Sequence, residues 1–169
     1  YYVERFIKMS QTTLDIKEPG LNVLPPGVER HVVNAGGLTG LQIFPDDEIE
    51  IINEEGNQIC EIICFDKDGK SELGILNQKE NCKKSFIKEL LKGKDESSLI
   101  TNLQLKKRNL DINKSKSSIL FDEQTPSGEK IKIKSKDKCY VIFAAPQNNM
   151  LVSEQNPSSD LTLFIKRYK

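Results

Sequence analysis

The chain has 169 residues, with 25 lysines and arginines against 25 aspartates and glutamates, so its formal charge is zero. That balance removes the electrostatic drive for binding a phosphate backbone as its main task. With 37% hydrophobic and 30% charged residues, the sequence suffices for one ordinary core and is too apolar to remain disordered throughout.

Residues 1–23 read as a flexible lead-in. Pro19-Gly20 and Pro25-Pro26-Gly27 break any helix or central strand there. Tyr1 to Lys8 carries no apolar signal core, and Met9-Ser10-Gln11 resembles a natural start, so Tyr1–Lys8 and the final Tyr168-Lys169 read as flanking sequence. His31 to Gly40 is loosely strand-like and then rich in glycine, but its glycines match neither phosphate-loop spacing. After the turn Pro45-Asp46-Asp47, Ile49 and Ile51 alternate with Glu48 and Glu50 as in a half-buried strand.

Gln58 to Phe65 is the most strand-like run, and the turns on either side, Glu55-Gly56-Asn57 and Asp66 to Gly69, predict two adjacent hairpins. A period of two puts Ile59, Glu61, Ile63 and Phe65 on one face and Gln58, Cys60, Ile62 and Cys64 on the other. Cys82 to Leu91 has helical spacing, with Asn81 as its expected cap and Gly93 as its stop; Ser97 to Lys107 is a second helical stretch with a basic end. Short strands follow at Ser118–Phe121, Lys130–Lys134, Cys139–Ala145 and Leu161–Ile165. In Lys130–Lys134 the lysines read as a solvated face opposite Ile131 and Ile133, and Cys139–Ala145 reads as a central strand. The expected class is α+β and β-rich: an antiparallel barrel or sandwich of seven or eight short strands with one or two inserted helices.

Few residues offer chemistry. The single histidine, His31, excludes a histidine triad or a multi-histidine metal site within this chain. Cys60 and Cys64 share a strand face but stand ~13 Å apart, too far to share one ion. A site built from Cys64, Cys82 and Cys139 stays geometrically open, although no C-x-x-C spacing supports it. Buried apolar thiols are the plainer reading, and no metal site is assigned. Asp66-Lys67-Asp68-Gly69 is a turn without the spacing of a calcium loop. Glu61 is the residue to watch, because a carboxylate on an apolar strand face must be hydrogen-bonded, paired or shifted in pKa. Arg30 and Arg108 are its expected partners, and Gln58 and Glu61 together are the candidate binding residues. Four scattered cysteines fit a reducing, cytoplasmic setting.

Three segments carry a resemblance: Leu24 to His31 with Gly36-Gly37; Pro45 to Glu48 through Glu55-Gly56-Asn57-Gln58-Ile59-Cys60-Glu61; and Thr125-Pro126-Ser127-Gly128 through Ala144-Ala145-Pro146, Met150 and Gln155-Asn156-Pro157. Together they resemble the amino-terminal domain, related to the urea carboxylase-associated family, of multidomain aminomethyltransferase-like proteins of the trimethylamine N-oxide demethylase type. The resemblance implies a parent that splits trimethylamine N-oxide into dimethylamine and formaldehyde, the formaldehyde being captured by tetrahydrofolate. It also implies that zinc and tetrahydrofolate belong to other domains of that parent. Residues 24–167 would then be its first domain, a structural and assembly module without a cofactor of its own. Its partners would be the other domains of the same polypeptide or further copies in a homo-oligomer, with no nucleic acid and no membrane. No catalytic residue carries over to this sequence. The alternative reading is a free-standing β-barrel that binds a small ligand or a metal, with Gln58 and Glu61 in its pocket.

Overall fold

The computed structural model describes residues 24–82, 84–147 and 158–168. The expectations for residues 1–23, and the resemblance residues Met150 and Gln155-Asn156-Pro157, lie outside the described residues. Eight strands are present among those described: β1 (Val28–Val33), β2 (Leu38–Ile43), β3 (Glu48–Asn53), β4 (Cys60–Asp66), β5 (Ser117–Phe121), β6 (Glu129–Lys134), β7 (Cys139–Ala144) and β8 (Leu161–Lys166). Between β4 and β5 lie the helices α1 (Phe86–Leu90) and α2 (Glu96–Lys107).

The strands form two antiparallel four-stranded sheets, ordered β1-β8-β3-β6 and β2-β7-β4-β5. Successive strands from β1 to β4 alternate between the sheets, which is the strand order of a jelly roll built on two facing sheets. Of the two expected architectures, then, the sandwich is present and the closed barrel is not. The expected hairpin about Glu55-Gly56-Asn57 is also corrected. β3 and β4 belong to different sheets, and this turn carries the chain across the sandwich. Gly56 makes the crossing feasible: its φ is +77°, and a Cβ there would come within 2.8 Å of Thr125 O and 2.7 Å of Ser127 N. The turn after β4 does fold back, with Gly69 N donating to Asp66 O and Phe65 bridging Ser71.

Side-chain periodicity decides which residues meet. In the first sheet, Ile49 faces Ile133, Ile51 faces Ile131 and Glu50 faces Lys132 across β3 and β6. The isoleucines Ile49, Ile51 and Ile133 enter the core, whereas the lysines stay in water, as the alternation predicts. In the second sheet, β4 and β7 are buried along almost their whole length. Their inner faces, with Cys60, Ile62, Cys64, Val141 and Phe143, meet the first sheet. Their outer faces, with Ile63, Phe65, Tyr140 and Ile142, pack under α1 and α2 through Ile87, Leu91 and Leu105. A strand covered on both sides reads as a continuous apolar run, which is why Cys139–Ala144 does so.

The second helix begins within one residue of its expected start, whereas the first begins later than its spacing suggests. Asn81 does not cap a helix. Its side chain accepts from Ile119 N and donates to Ile119 O, and Cys82 bridges Ser117, so residues 81 and 82 extend the open edge of β5. The first helix begins only at Phe86, with Ser85 as its cap.

One contact in the second sheet is tight enough to forbid any side chain. A Cβ on Gly40 would stand 2.0 Å from the Tyr140 hydroxyl and 2.7 Å from Cζ of the same ring. Gly40→Ala is expected to destabilise the fold by about 1–3 kcal/mol through overpacking. Urea denaturation of Gly40→Ala, Tyr140→Phe and the double variant should show the two sites strongly coupled.

Candidate functional site

Glu61 is fully buried on the outer face of β4, beside a register shift in the β4–β5 pairing at Cys60/Glu61. Neither Arg30 nor Arg108 reaches it. Its Oε1 accepts the Ser85 hydroxyl at 2.6 Å, and its Oε2 accepts the backbone N–H of Phe86 at 2.7 Å and of Ile87 at 3.1 Å. The Ser85 hydroxyl oxygen in turn accepts Lys88 N. The first three N–H groups of α1, which no helical carbonyl can serve, are thereby all satisfied, and the carboxylate sits at the positive end of the helix. A buried anion needs several donors, and the strand-to-helix contact supplies them without a cation.

Gln58 is equally buried, at the end of the sandwich where β3 crosses to β4. Its amide nitrogen donates to Ile59 O and Pro146 O, its amide oxygen accepts Ser159 N, and its carbonyl accepts the Asn53 side chain. Gln58 and Glu61 share no hydrogen-bond partner among these contacts. Each side chain is engaged by neighbouring groups of the protein.

The segments that carry the resemblance do converge. Gly36 N donates to Ala145 O, Asn57 N donates to Thr125 O, Ser127 donates to Glu54 O, and Gln58 reaches Pro146. These residues, distant in sequence, lock one end of the two sheets. The glycines at 36 and 37 spend their N–H groups on Ala145 O and Asn34 O, so this turn is not a phosphate cradle.

The cysteines separate by environment. Cys60, Cys64 and Cys139 are buried, and Cys82 lies at the partly exposed edge beside β5. Contact with Cys139, together with burial, holds the Cys64 thiol far above its ordinary pKa, and burial does the same for Cys60. No group of three or more His, Cys, Asp or Glu placed to hold a metal occurs among the described residues.

A charged cluster that local patterns do not reveal ties β1, the β2–β3 turn and the end of β8. Arg167 donates from Nε to Glu29 at 2.7 Å and from Nη1 to Asp47 at 2.7 Å. Asp47, 1% exposed, also accepts Phe44 N and Tyr168 N. His31 contacts Glu29 at 3.0 Å. Turn chemistry pointed to Asp47 only as part of Pro45-Asp46-Asp47, and its partner lies 120 positions away. Beside this cluster opens a cleft of about 320 Å³ whose lining includes Gln42, Lys138, Tyr140 and Arg108. Arg108 donates to the Gln42 side chain at 2.6 Å and lies 4.5 Å from the Tyr140 ring centroid. No helix among the described residues is long and apolar enough to cross a membrane.

Two measurements test these assignments. Glu61→Ala should cost about 3 kcal/mol in urea denaturation, because it leaves buried donors unmet, whereas Glu61→Gln should cost about 1 kcal/mol; amide exchange at Phe86 and Ile87 should accelerate in the alanine variant. The second concerns pH. Glu29 is pulled down from 4.5 to about 2, first by the hydrogen bond from Arg167 and also by His31, against partial burial. A depressed carboxyl contributes its stability in full above pH 4.5 and loses it as pH falls through about 2. Glu29→Gln should flatten the dependence of Tm on pH across that interval. With the Glu29 side chain 42% exposed, its cost near neutrality should stay under ~1 kcal/mol.

No protein-family model matches the chain. The chain is 34% identical over 152 residues to the trimethylamine-oxide aldolase of Ruegeria pomeroyi, a match that takes in 90% of this chain and 19% of that protein. The chain thus spans about a fifth of the length of the curated relative it matches, and it is similar to one part of a larger enzyme of trimethylamine oxide.

Proposed function

We propose that the chain is a non-catalytic structural and assembly domain of a trimethylamine N-oxide demethylase-like enzyme, of the type related to the urea carboxylase-associated family. The observation that carries this reading is the match along 90% of the chain to a fifth of the trimethylamine-oxide aldolase. In this reading the parent protein converts trimethylamine N-oxide to dimethylamine and formaldehyde. Zinc and tetrahydrofolate belong to other domains of that polypeptide, which works in the cytoplasm. The sandwich is their amino-terminal support, and oligomer formation is a second role open to it.

The buried polar groups favour such a role. Glu61 and Gln58 serve as positioning residues, one seating α1 on the second sheet and the other fastening the crossover end. Their atoms hold the fold together instead of facing an opening. The same is true of Asp47, whose two oxygens receive Arg167, Phe44 and Tyr168.

Formaldehyde release from trimethylamine N-oxide, followed for the 169-residue chain and for the complete polypeptide from the same gene, tests the reading. The chain alone is expected to release none, and the complete polypeptide is expected to turn over. Turnover by the chain alone, or none by the complete polypeptide supplied with zinc and tetrahydrofolate, overturns it.

A further inference from the structure

Helix α2 turns two hydroxyl residues and Leu105 inward and leaves its other large apolar residues in solvent. The residues it directs to the second sheet are Ser98, Thr101 and Leu105, all buried, while Leu99, Ile100 and Leu103 are 52%, 51% and 66% exposed. The inward hydroxyls are well used. Ser98 donates to Leu90 O and lies 2.6 Å from Asp95, and Thr101 donates to Ser97 O. Their small size lets α2 lie close to β2, where Leu38 N donates to the Ser97 hydroxyl. The helix is therefore seated by Leu105 and the two hydroxyl residues, without help from Leu99, Ile100 or Leu103. At 100° per residue those three fall within one 100° arc, a contiguous stripe. Five large hydrophobic side chains are exposed among the described residues, and three of them form this stripe. The other two, Phe44 and Tyr168, adjoin the Arg167 cluster.

We infer that the Leu99-Ile100-Leu103 stripe is the surface through which this domain docks onto another domain of the same polypeptide, an inference that rests on the function proposed above. The largest contiguous apolar patch on a protein surface, ordinarily about 300–600 Å², is often a functional contact. Its area decides the kind of partner. Three side chains exposed by half to two thirds offer on the order of 300 Å², well short of the ~800 Å² per partner of a free-standing interface. A tethered domain needs less, because its linker keeps the partner surface at millimolar effective concentration. About four fifths of the matched relative lies outside the match, which is ample chain for such a partner. The charges along the helix specify the surface it meets. Glu96 stands at one end of the stripe and Lys106 and Lys107 at the other, so the receiving groove is apolar, with carboxylates where the lysines arrive.

Maleimide labelling of Leu103→Cys, in a Cys82→Ser background and with Glu123→Cys in the exposed β5–β6 turn as reference, tests this directly. In the complete polypeptide, labelling at 103 is expected to be at least tenfold slower than at 123, and in the 169-residue chain the two rates should be similar. Equal rates in the complete polypeptide overturn the inference. Slow labelling in the 169-residue chain also overturns it. If that protection grows with concentration, a second copy covers the stripe; if it does not, the chain's own residues do. The labelling reads docking whether or not the polypeptide releases formaldehyde, so failure of the docking surface and failure of the proposed enzyme are separate results.

Discussion

The seating of α1 on Glu61 is the contact on which the outer layer of this molecule depends. Strands β4 and β7 are apolar on both faces, so the second sheet needs a cover on the side away from the first. The cover is a helix of five residues followed by one of twelve, and a helix that short has little stability of its own. A buried carboxylate at its first turn satisfies the N–H groups that would otherwise be stranded and fixes where the helix begins. The strand and the helix thus answer each other's difficulty: the anion gains donors, and the helix gains an acceptor.

The opposite side of the sandwich is managed by different means. There the first sheet faces solvent with Glu48, Glu50, Lys132 and Lys134 in register across β3 and β6, including an ion pair of Glu50 with Lys132 at 3.6 Å. Exposed pairs of this kind add little stability, but a row of charges on an edge strand such as β6 discourages pairing with another chain. Those lysines are thus accounted for within the sheet. Arg108 is similarly engaged by Gln42 and Tyr140, which leaves Lys106 and Lys107 as the basic residues of α2 that face outward.

How far the sequence discloses all this depends on the range of the interaction. The faces of β3, β4 and β6 follow from alternation within six or seven residues, and Glu61 stands out there as a carboxylate among apolar neighbours. Its partner does not, because backbone N–H groups leave no mark in a sequence and arginine is the acceptor's obvious complement. The sheet to which each strand belongs is equally hidden. Glu55-Gly56-Asn57 has the composition of a hairpin turn, yet β3 pairs with β6 and β8, the latter more than 100 residues on. Arg167 and Asp47 are found only when the two ends of the domain are placed side by side. The resemblance segments fare better, since four hydrogen bonds make the three of them neighbours at one end of the sandwich.

Helix α2 shows the limit of periodicity from the other direction. Leu99, Ile100 and Leu103 have helical spacing, and a reader of the sequence would turn them to the core, where Ser98, Thr101 and Leu105 in fact lie. What decides the orientation is the distance between helix and sheet. Hydroxyl side chains with internal acceptors permit a close approach beside Gly37, where a Cβ would already stand 3.2 Å from the Ser97 hydroxyl. A leucine stripe in that position would force the helix outward and uncover Ile63 and Ile142. Leu99, Ile100 and Leu103 are displaced to the far side by the packing of the small residues, and an exposed apolar stripe is the consequence. In an isolated domain such a stripe is a liability for association. In one domain of a longer polypeptide it is a contact surface made at no expense to the domain's own core, which is the reason the docking role falls to α2 and not to the charged face of the first sheet.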